Sequence, residues 1–314
     1  MILIVVAVTF ARNRSAGRTP YSDSALVMDT LAEVTVWVKG GRAPAAVDSA
    51  LAALGRIDAL LGDARLDSGT DRDLVACRDV TRILDVARRV HDLTGGLFDP
   101  TVGSVTRLWI FGQDGAIPRA DSLAEGLKHV GFTRFLAAPD SAGFILDLGG
   151  VAKGYAVDLA AESLARLGIR SAIVSAGGDM RLVGRRSDGK PWRVAIRHPR
   201  VAGAFVGCLE LGESAVATSG DYERCFLVDG RRYHHILDPR TGLPAMATTS
   251  VTVVASSSAL ADALATGLFV MGPHRGLALA ESLEGVGAVF VWAEGESLAV
   301  TRSLSRRFER ARLE

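Results

Sequence analysis

Residues 144–179 read FILDLGGVAKGYAVDLAAESLARLGIRSAIVSAGGD, and this stretch decides the class of fold. Phe144 to Leu148 is a short apolar strand that stops at Gly149-Gly150. A helix opens at once and runs to Leu167, with Ala156, Val157, Ala160 and Leu164 on one face and Gly168 closing it. Ser171 to Ala176 is a second strand, ended by Gly177-Gly178-Asp179. A doubly wound protein would repeat this unit, but the chain contains no internal repeat. Further short strands follow instead, near Leu182–Val183, Trp192–Ile196, Phe205–Leu211 and Arg232–Leu237. Ser250 to Ala255 is another strand, and Ser256 or Ser257 caps a helix to about Met271. One more helix and the strand pair Ala288–Trp292 and Leu298–Thr301 complete the pattern. Hairpins mixed with helices predict an α+β fold.

Upstream, residues 12–25 are polar and small and read as a linker. Leu26 to Val38 alternates, with Val34, Val36 and Val38 on one face, and reads as one half-buried strand. Helical periodicity runs over 44–62 and again from about Val80 to Leu93, where Gly95-Gly96 stops it. The first eleven residues, MILIVVAVTFA, are too short an apolar run to span a bilayer. They read either as the hydrophobic part of a secretory signal or as a buried first strand. No Cys follows them, so a lipid-anchored start is not expected.

Composition narrows the function. The chain has 314 residues, with 36 Lys+Arg against 35 Asp+Glu and a net charge of +1. That balance argues against a sequence-blind nucleic-acid binder, which carries a basic excess. Apolar residues make up 48%, which excludes a disordered chain. Three cysteines, Cys77, Cys208 and Cys225, are widely spaced and form neither a zinc nor a disulfide framework. Only Lys39, Lys128, Lys153 and Lys190 are lysines, so 32 of the 36 basic residues are arginine and a lysine inside a motif is informative.

Five constellations carry candidate chemistry. In Asp147-Leu-Gly-Gly-Val-Ala-Lys-Gly-Tyr155 a strand meets a helix through two glycines, with Lys153 in the first helical turn. Free amides at a helix start attract anions and a lysine supplies a point charge; a tight turn with a solvated lysine is the plain alternative. Gly177-Gly-Asp179 reads by itself as a turn. Asp262 and Thr266, one helical turn apart, share a face and offer hard oxygens suited to Mg²⁺. The alternative puts Asp262 on an exposed face and bonds Thr266 back to its own helix. Tyr233-His-His-Ile-Leu-Asp-Pro239 supplies two imidazoles beside an ordered turn, and hence a general-base candidate. Gly96-Leu-Phe-Asp-Pro-Thr-Val-Gly103 with Leu108-Trp-Ile-Phe-Gly112 offers a rigid polar loop beside aromatic surface, for which a ring-binding wall or plain packing would both account.

Taken together, these segments resemble the ApbE family of FAD:protein FMN transferases. The matching motifs are GGLFDPTVG with LW-FG, LDLGGVAKGYAVD, VSAGGDMRLVG, ATSGDYERCF, YHHILDPRTGLP and SVTVVASSSALADALATGLFVMG. They fall in family order over roughly residues 26 to 300. The resemblance implies mixed or antiparallel sheets flanked by helices, with the flavin nucleotide in a cleft between two intimate halves. It implies one domain over 26–302, preceded by the apolar segment and linker (1–25) and followed by a basic tail (303–314). It implies that Asp262, Thr266 and the carbonyl of Gly150 hold Mg²⁺. Met28, Leu97, Phe98, Asp99, Asp147, Lys153, His235 and Ile236 would contact FAD, which is a substrate. Lys153 would stabilise phosphate oxygens, together with the amides after Gly150, and His235 would act as the base. The expected reaction moves FMN from FAD onto a Thr or Ser hydroxyl of a second protein and releases AMP. Its expected targets are exported flavin-carrying subunits of electron-transport complexes, in the periplasm or at the cell envelope. An Mg²⁺-dependent FAD pyrophosphatase and a non-catalytic flavin-binding protein are the competing expectations. Arg302 to Arg312 would be a solvated helix end or would touch an acidic membrane surface. Two departures from the family pattern stand out: Asp29 replaces Gly in Met-Gly-Thr, and His234 replaces a smaller residue.

Overall fold

Alternating apolar residues joined by two-residue turns make hairpins, and hairpins build the centre of this molecule. The structure is a computed structural model describing residues 20–38, 40–62, 65–67, 72–138, 143–292, 295 and 297–311. The first elements are β1 (Pro20–Val27), β2 (Thr30–Trp37), α1 (Ala43–Leu61), β3 (Arg65–Asp67), α2 (Arg72–Val75) and α3 (Arg78–Thr94). Three short helices, α4 (Gly103–Thr106), α5 (Ala120–Leu127) and α6 (Phe132–Ala137), precede β4 (Ile145–Asp147) and α7 (Ala152–Arg166). A run of strands follows: β5 (Ser171–Ala176), β6 (Asp179–Gly184), β7 (Trp192–Arg197), β8 (Phe205–Leu211), β9 (Ser214–Gly220), β10 (Cys225–Val228), β11 (Arg231–His234) and β12 (Ser250–Ala255). The chain closes with α8 (Ser258–Met271), α9 (Pro273–Ser282), β13 (Gly287–Trp292), β14 (Ser297–Val300), α10 (Arg302–Ser305) and β15 (Phe308–Arg310).

Eight strands form one sheet in the order β1-β2-β5-β6-β9-β12-β13-β14, with every pairing antiparallel. Because side chains alternate across a strand, each face feeds its own core. Val34, Val174, Ala217 and Val253 pack under α1, α7 and α8, and α3 packs on α8. Ile173, Leu182, Val216, Val289 and Val291 pack against β7 and β8 of a three-stranded sheet, β15-β8-β7. The result is three layers, helices on a large sheet on a small one, consistent with the expected α+β class. Two cores lie on opposite faces of this continuous sheet.

Three details depart from the sequence reading. The single strand over Leu26–Val38 is a hairpin, because Met28 and Asp29 both take positive φ (50° and 57°) and turn the chain between β1 and β2. Part of the expected linker is therefore β1, while residues 1–19, including the apolar run, lie outside the described residues. Strand β9 went unread because Ser214–Gly220 is built from small residues, yet it lies mid-sheet between β6 and β12. The segment read as a basic tail also belongs to the fold. Leu304 is 3% exposed in the second core and Phe308 pairs with Leu209 of β8. Burial of these two apolar side chains outweighs the pull of the surrounding arginines toward water. Among the described residues, no helix is long and apolar enough to cross a membrane.

Candidate active site

The site forms where helices α7 and α8 cap each other. Asp158 on α7 accepts from the first amides of α8, Ser258 N–H at 2.8 Å and Ala259 N–H at 2.9 Å. Asp262 on α8 accepts from Gly154 N–H in the first turn of α7 at 3.1 Å. A carboxylate at a helix start satisfies amides that have no partner within the helix and complements the helix dipole. So close a crossing requires glycine at position 154: a Cβ there would lie 2.8 Å from Ala259 Cα and would collide with the Ser258 carbonyl.

Lys153 extends from the same turn into a cluster of oxygens. Its Nζ lies 3.0 Å from Asp179 Oδ2 and 3.3 Å from Asp262 Oδ2. It also donates to the Gly149 carbonyl at 3.3 Å. Asp262 is 4% exposed and Asp179 2%. Burial, followed by the charge of Asp262, holds the Asp179 carboxyl well above the usual carboxylate range, against the pull of Lys153. For Lys153, burial works to lower the pKa, but Asp179 and Asp262 outweigh it and keep the ammonium charged. Two acids thus share one cation, and a second cation would relieve the repulsion between them.

Thr266 lies one turn beyond Asp262, and its hydroxyl is 3.2 Å from Ser219 Oγ at the end of β9. Gly150 closes the group: a Cβ there would sit 3.1 Å from Thr266 Oγ1 and 3.3 Å from Phe98 Cε2. The structure therefore gathers Gly150, Lys153, Asp262 and Thr266 at one point. A carboxylate, a hydroxyl and a backbone carbonyl are hard oxygen donors that fit Mg²⁺. The amides expected to cradle phosphate are largely engaged, since Val151 and Ala152 N–H both donate to Leu148 O, at 3.0 and 2.8 Å. Here the first turn folds back on Leu148, and Lys153 supplies the positive charge beside it.

The other candidate contacts surround this point. Met28 sits at the tip of the β1–β2 hairpin, anchored by its N–H to Asp58 Oδ1 at 2.9 Å. Thr30, at the same tip, packs beside Gly177 in the turn that leads to Asp179. Asp29 holds its left-handed backbone where the family pattern has Gly, and a short polar side chain tolerates that conformation. Leu97 and Phe98 are buried, and the Phe98 backbone is tied by the Thr94 hydroxyl to its N–H at 3.1 Å and by His91 Nδ1 to its carbonyl at 3.0 Å. Asp99 spends its carboxylate on the loop, accepting from Thr101 N–H at 2.9 Å and Phe132 N–H at 3.0 Å. Asp147 accepts from Thr106 Oγ1 at 2.9 Å and from Gly149 N–H at 3.0 Å.

The two histidines differ in role. His234 is 1% exposed, and its Nε2 meets the Ala245 carbonyl at 2.9 Å while Nδ1 accepts from Ile236 N–H at 3.3 Å. His235 faces the other way, edge-on to Phe111 at 6.5 Å, with its backbone N–H on Arg224 O. Its Nδ1 is buried with no hydrogen-bond partner among the described residues. Burial, then the charges of His234, Arg224 and Lys153, push its pKa down to about 3, so the ring is neutral near pH 7. Trp109 is packing rather than a ring-binding wall: it is buried, stacks on Phe111 and donates to the Gly242 carbonyl at 3.0 Å. Sequence reasoning took Asp179 only for a turn residue and passed over Ser219. A Gly-Gly pair followed by an acid at a strand start was the one available signal for Asp179.

The ApbE family model matches residues 28–290. An FAD:protein FMN transferase of Vibrio cholerae is 41% identical over 210 residues, 64% of this chain and 63% of that protein. A protein of the same name from Haemophilus influenzae is 36% identical over 218 residues, 65% of this chain and 63% of its own length. The chain thus spans about 63% of the length of these two relatives. Another of that name from Treponema pallidum is 33% identical over 307 residues, 87% of this chain and 85% of its own length. Among solved structures, the flavin transferase ApbE from Vibrio cholerae superposes with a TM-score of 0.80 at 30% identity, covering 92% of this chain and 99% of that one. The ApbE protein from Thermotoga maritima does so at 0.80 and 30%, covering 93% and 100%. With the motifs in order and the fold shared along nearly the whole chain, this protein belongs to the ApbE family.

Proposed function

We propose that the protein is an Mg²⁺-dependent FAD:protein FMN transferase that moves FMN from FAD to a Thr or Ser hydroxyl of a second protein and releases AMP. Curated relatives carry that name. The observation that carries the reading is the meeting of Gly150, Asp262 and Thr266 beside a half-buried, charged lysine. Asp262, Thr266 and the Gly150 carbonyl would hold Mg²⁺, which supplies charge neutralisation and Lewis acidity at a diphosphate.

The chain's own residues do the rest. Lys153 stays protonated and presents its charge where negative charge grows on the phosphate oxygens. The acceptor hydroxyl forms the new O–P bond to the FMN phosphorus as the bond to the AMP phosphate breaks. Its proton goes to the ring of neutral His235, whose Nδ1 has no hydrogen-bond partner among the described residues. A base this weak takes the proton while the O–P bond forms rather than before it. Phe98 and Met28, held by backbone bonds, would bound the flavin end. The apolar run at 1–11 and the family resemblance support a cell-envelope location, with flavin-carrying electron-transport subunits as acceptors.

The test is incubation with FAD, Mg²⁺ and a Thr-bearing acceptor, read by flavin fluorescence on the denatured acceptor. A labelled acceptor and free AMP are expected. Free FMN with an unlabelled acceptor would replace transfer with hydrolysis.

A further inference from the structure

Lys153 is set between two buried carboxyl groups. Its ion pairs among the described residues are with Asp179 at 3.0 Å and Asp262 at 3.3 Å. Asp262 is also the acid of the proposed cation site, so the ammonium and a divalent cation compete for the same oxygens. Like charges that close repel strongly in a buried site, so one of them must give way. Asp179 is built to receive the lysine. It starts β6, directly across the tight Gly177-Gly178 turn from Ala176, and the paired strands hold its backbone. Its Oδ2 is buried with no hydrogen-bond partner among the described residues, although Lys153 Nζ is 3.0 Å away. This leaves that oxygen unsatisfied until the ammonium turns fully toward it.

We propose that Asp179 is a positioning residue that takes over Lys153 when a divalent cation occupies Asp262. The ammonium moves from its shared position onto Asp179, which frees Asp262 for the cation and keeps Lys153 beside the diphosphate. Asp179 therefore promotes cation binding without touching the cation. This inference rests on the reading of Asp262 as a cation ligand given under Proposed function.

The test uses the full chain without FAD and titrates Mn²⁺ by calorimetry. Asp179→Asn leaves Lys153 on Asp262 alone, so the Mn²⁺ Kd is expected to rise by about tenfold. In a Lys153→Met background the competitor is gone, and the same substitution is expected to have an effect at least about threefold smaller. Equal effects in both backgrounds would mean that Asp179 acts on the cation directly, and would overturn the proposal. A crystal structure of the unsubstituted chain with Mn²⁺ decides the matter even if a variant fails to fold. Nζ on Asp179 and withdrawn from Asp262 is expected; Nζ still on Asp262, or Mn²⁺ bound by Asp179, overturns it. If Asp262→Asn binds Mn²⁺ as tightly as the native chain, the cation reading itself fails and takes this proposal with it. That result differs from native binding with an unmoved lysine.

Discussion

Asp262 does two jobs with one carboxylate: it caps α7 through Gly154 N–H and pairs with Lys153. The substitution that separates cation binding from folding is Asp262→Asn, which keeps an oxygen for the cap but loses the charge. Transfer to the acceptor is expected to fall by about 100-fold or more, while the thermal midpoint moves little; an Asn variant with native turnover would remove the cation from the mechanism. His234 makes a prediction of a different kind. Burial pushes its pKa down to about 4 from 6.5. Between those values the unfolded chain binds the extra proton, so the His234 contribution to stability is whole above about pH 6.5 and is lost as pH falls through 4. It is on the order of 3 kcal/mol. Other buried acids, Asp158 and Asp179 among them, slope the opposite way, so the informative quantity is a difference. The stability advantage of the native chain over His234→Gln, read from guanidinium midpoints, should grow from pH 4 to 6.5; a constant difference would mean that His234 does not titrate as its burial implies. At this scale Lys153, Asp262 and Thr266 were legible, because a lysine among arginines and an acid in an apolar helix are anomalies that demand a partner. Asp179 was not, because nothing local distinguishes a turn acid in water from one turned inward.

The crossing of α7 and α8 is the element on which the site depends. Each helix lends a carboxylate to the other's first turn, and Gly154 lets the backbones meet. Gly154→Ala should push the helices apart, with a loss of about 2 kcal/mol or more and weaker cation binding from the displaced Asp262. Chemical denaturation and Mn²⁺ titration would report both, and an Ala variant with native values in each would show that the crossing can relax. Asp158→Ala removes the acceptor for two α8 amides and should cost about 1 kcal/mol in the same denaturation assay. Both helices, with the Ser257 cap, were readable from their periodicity, and so was the Gly149-Gly150 turn. That their caps are reciprocal was not readable, since the partners lie about 100 residues apart in the chain. The β1–β2 hairpin escaped for the opposite reason: Met28-Asp29 carries no glycine, and its turn is set by backbone angles that the side chains merely tolerate.

Over the whole molecule, one antiparallel sheet separates a helix-covered core, which holds the site, from a second core under the β7–β8–β15 sheet. Leu304 plugs that second core from the C-terminal segment. Leu304→Ala should cost about 2–4 kcal/mol while leaving the Mn²⁺ affinity of the folded protein unchanged, because the site lies on the other face of the sheet. A change of less than about 0.5 kcal/mol on denaturation would mean that the segment is dispensable. The sequence by itself determined the α+β class, the main helices, the family and the residues that meet at Gly150, because periodicity, turn chemistry and spaced motifs are local signals. Only the tertiary structure decided that β9 is a central strand, that 302–310 complete the fold and that Asp179 shares Lys153 with Asp262. Those outcomes depend on burial and on charges brought together from distant parts of the chain, and no stretch of residues records its own solvent exposure.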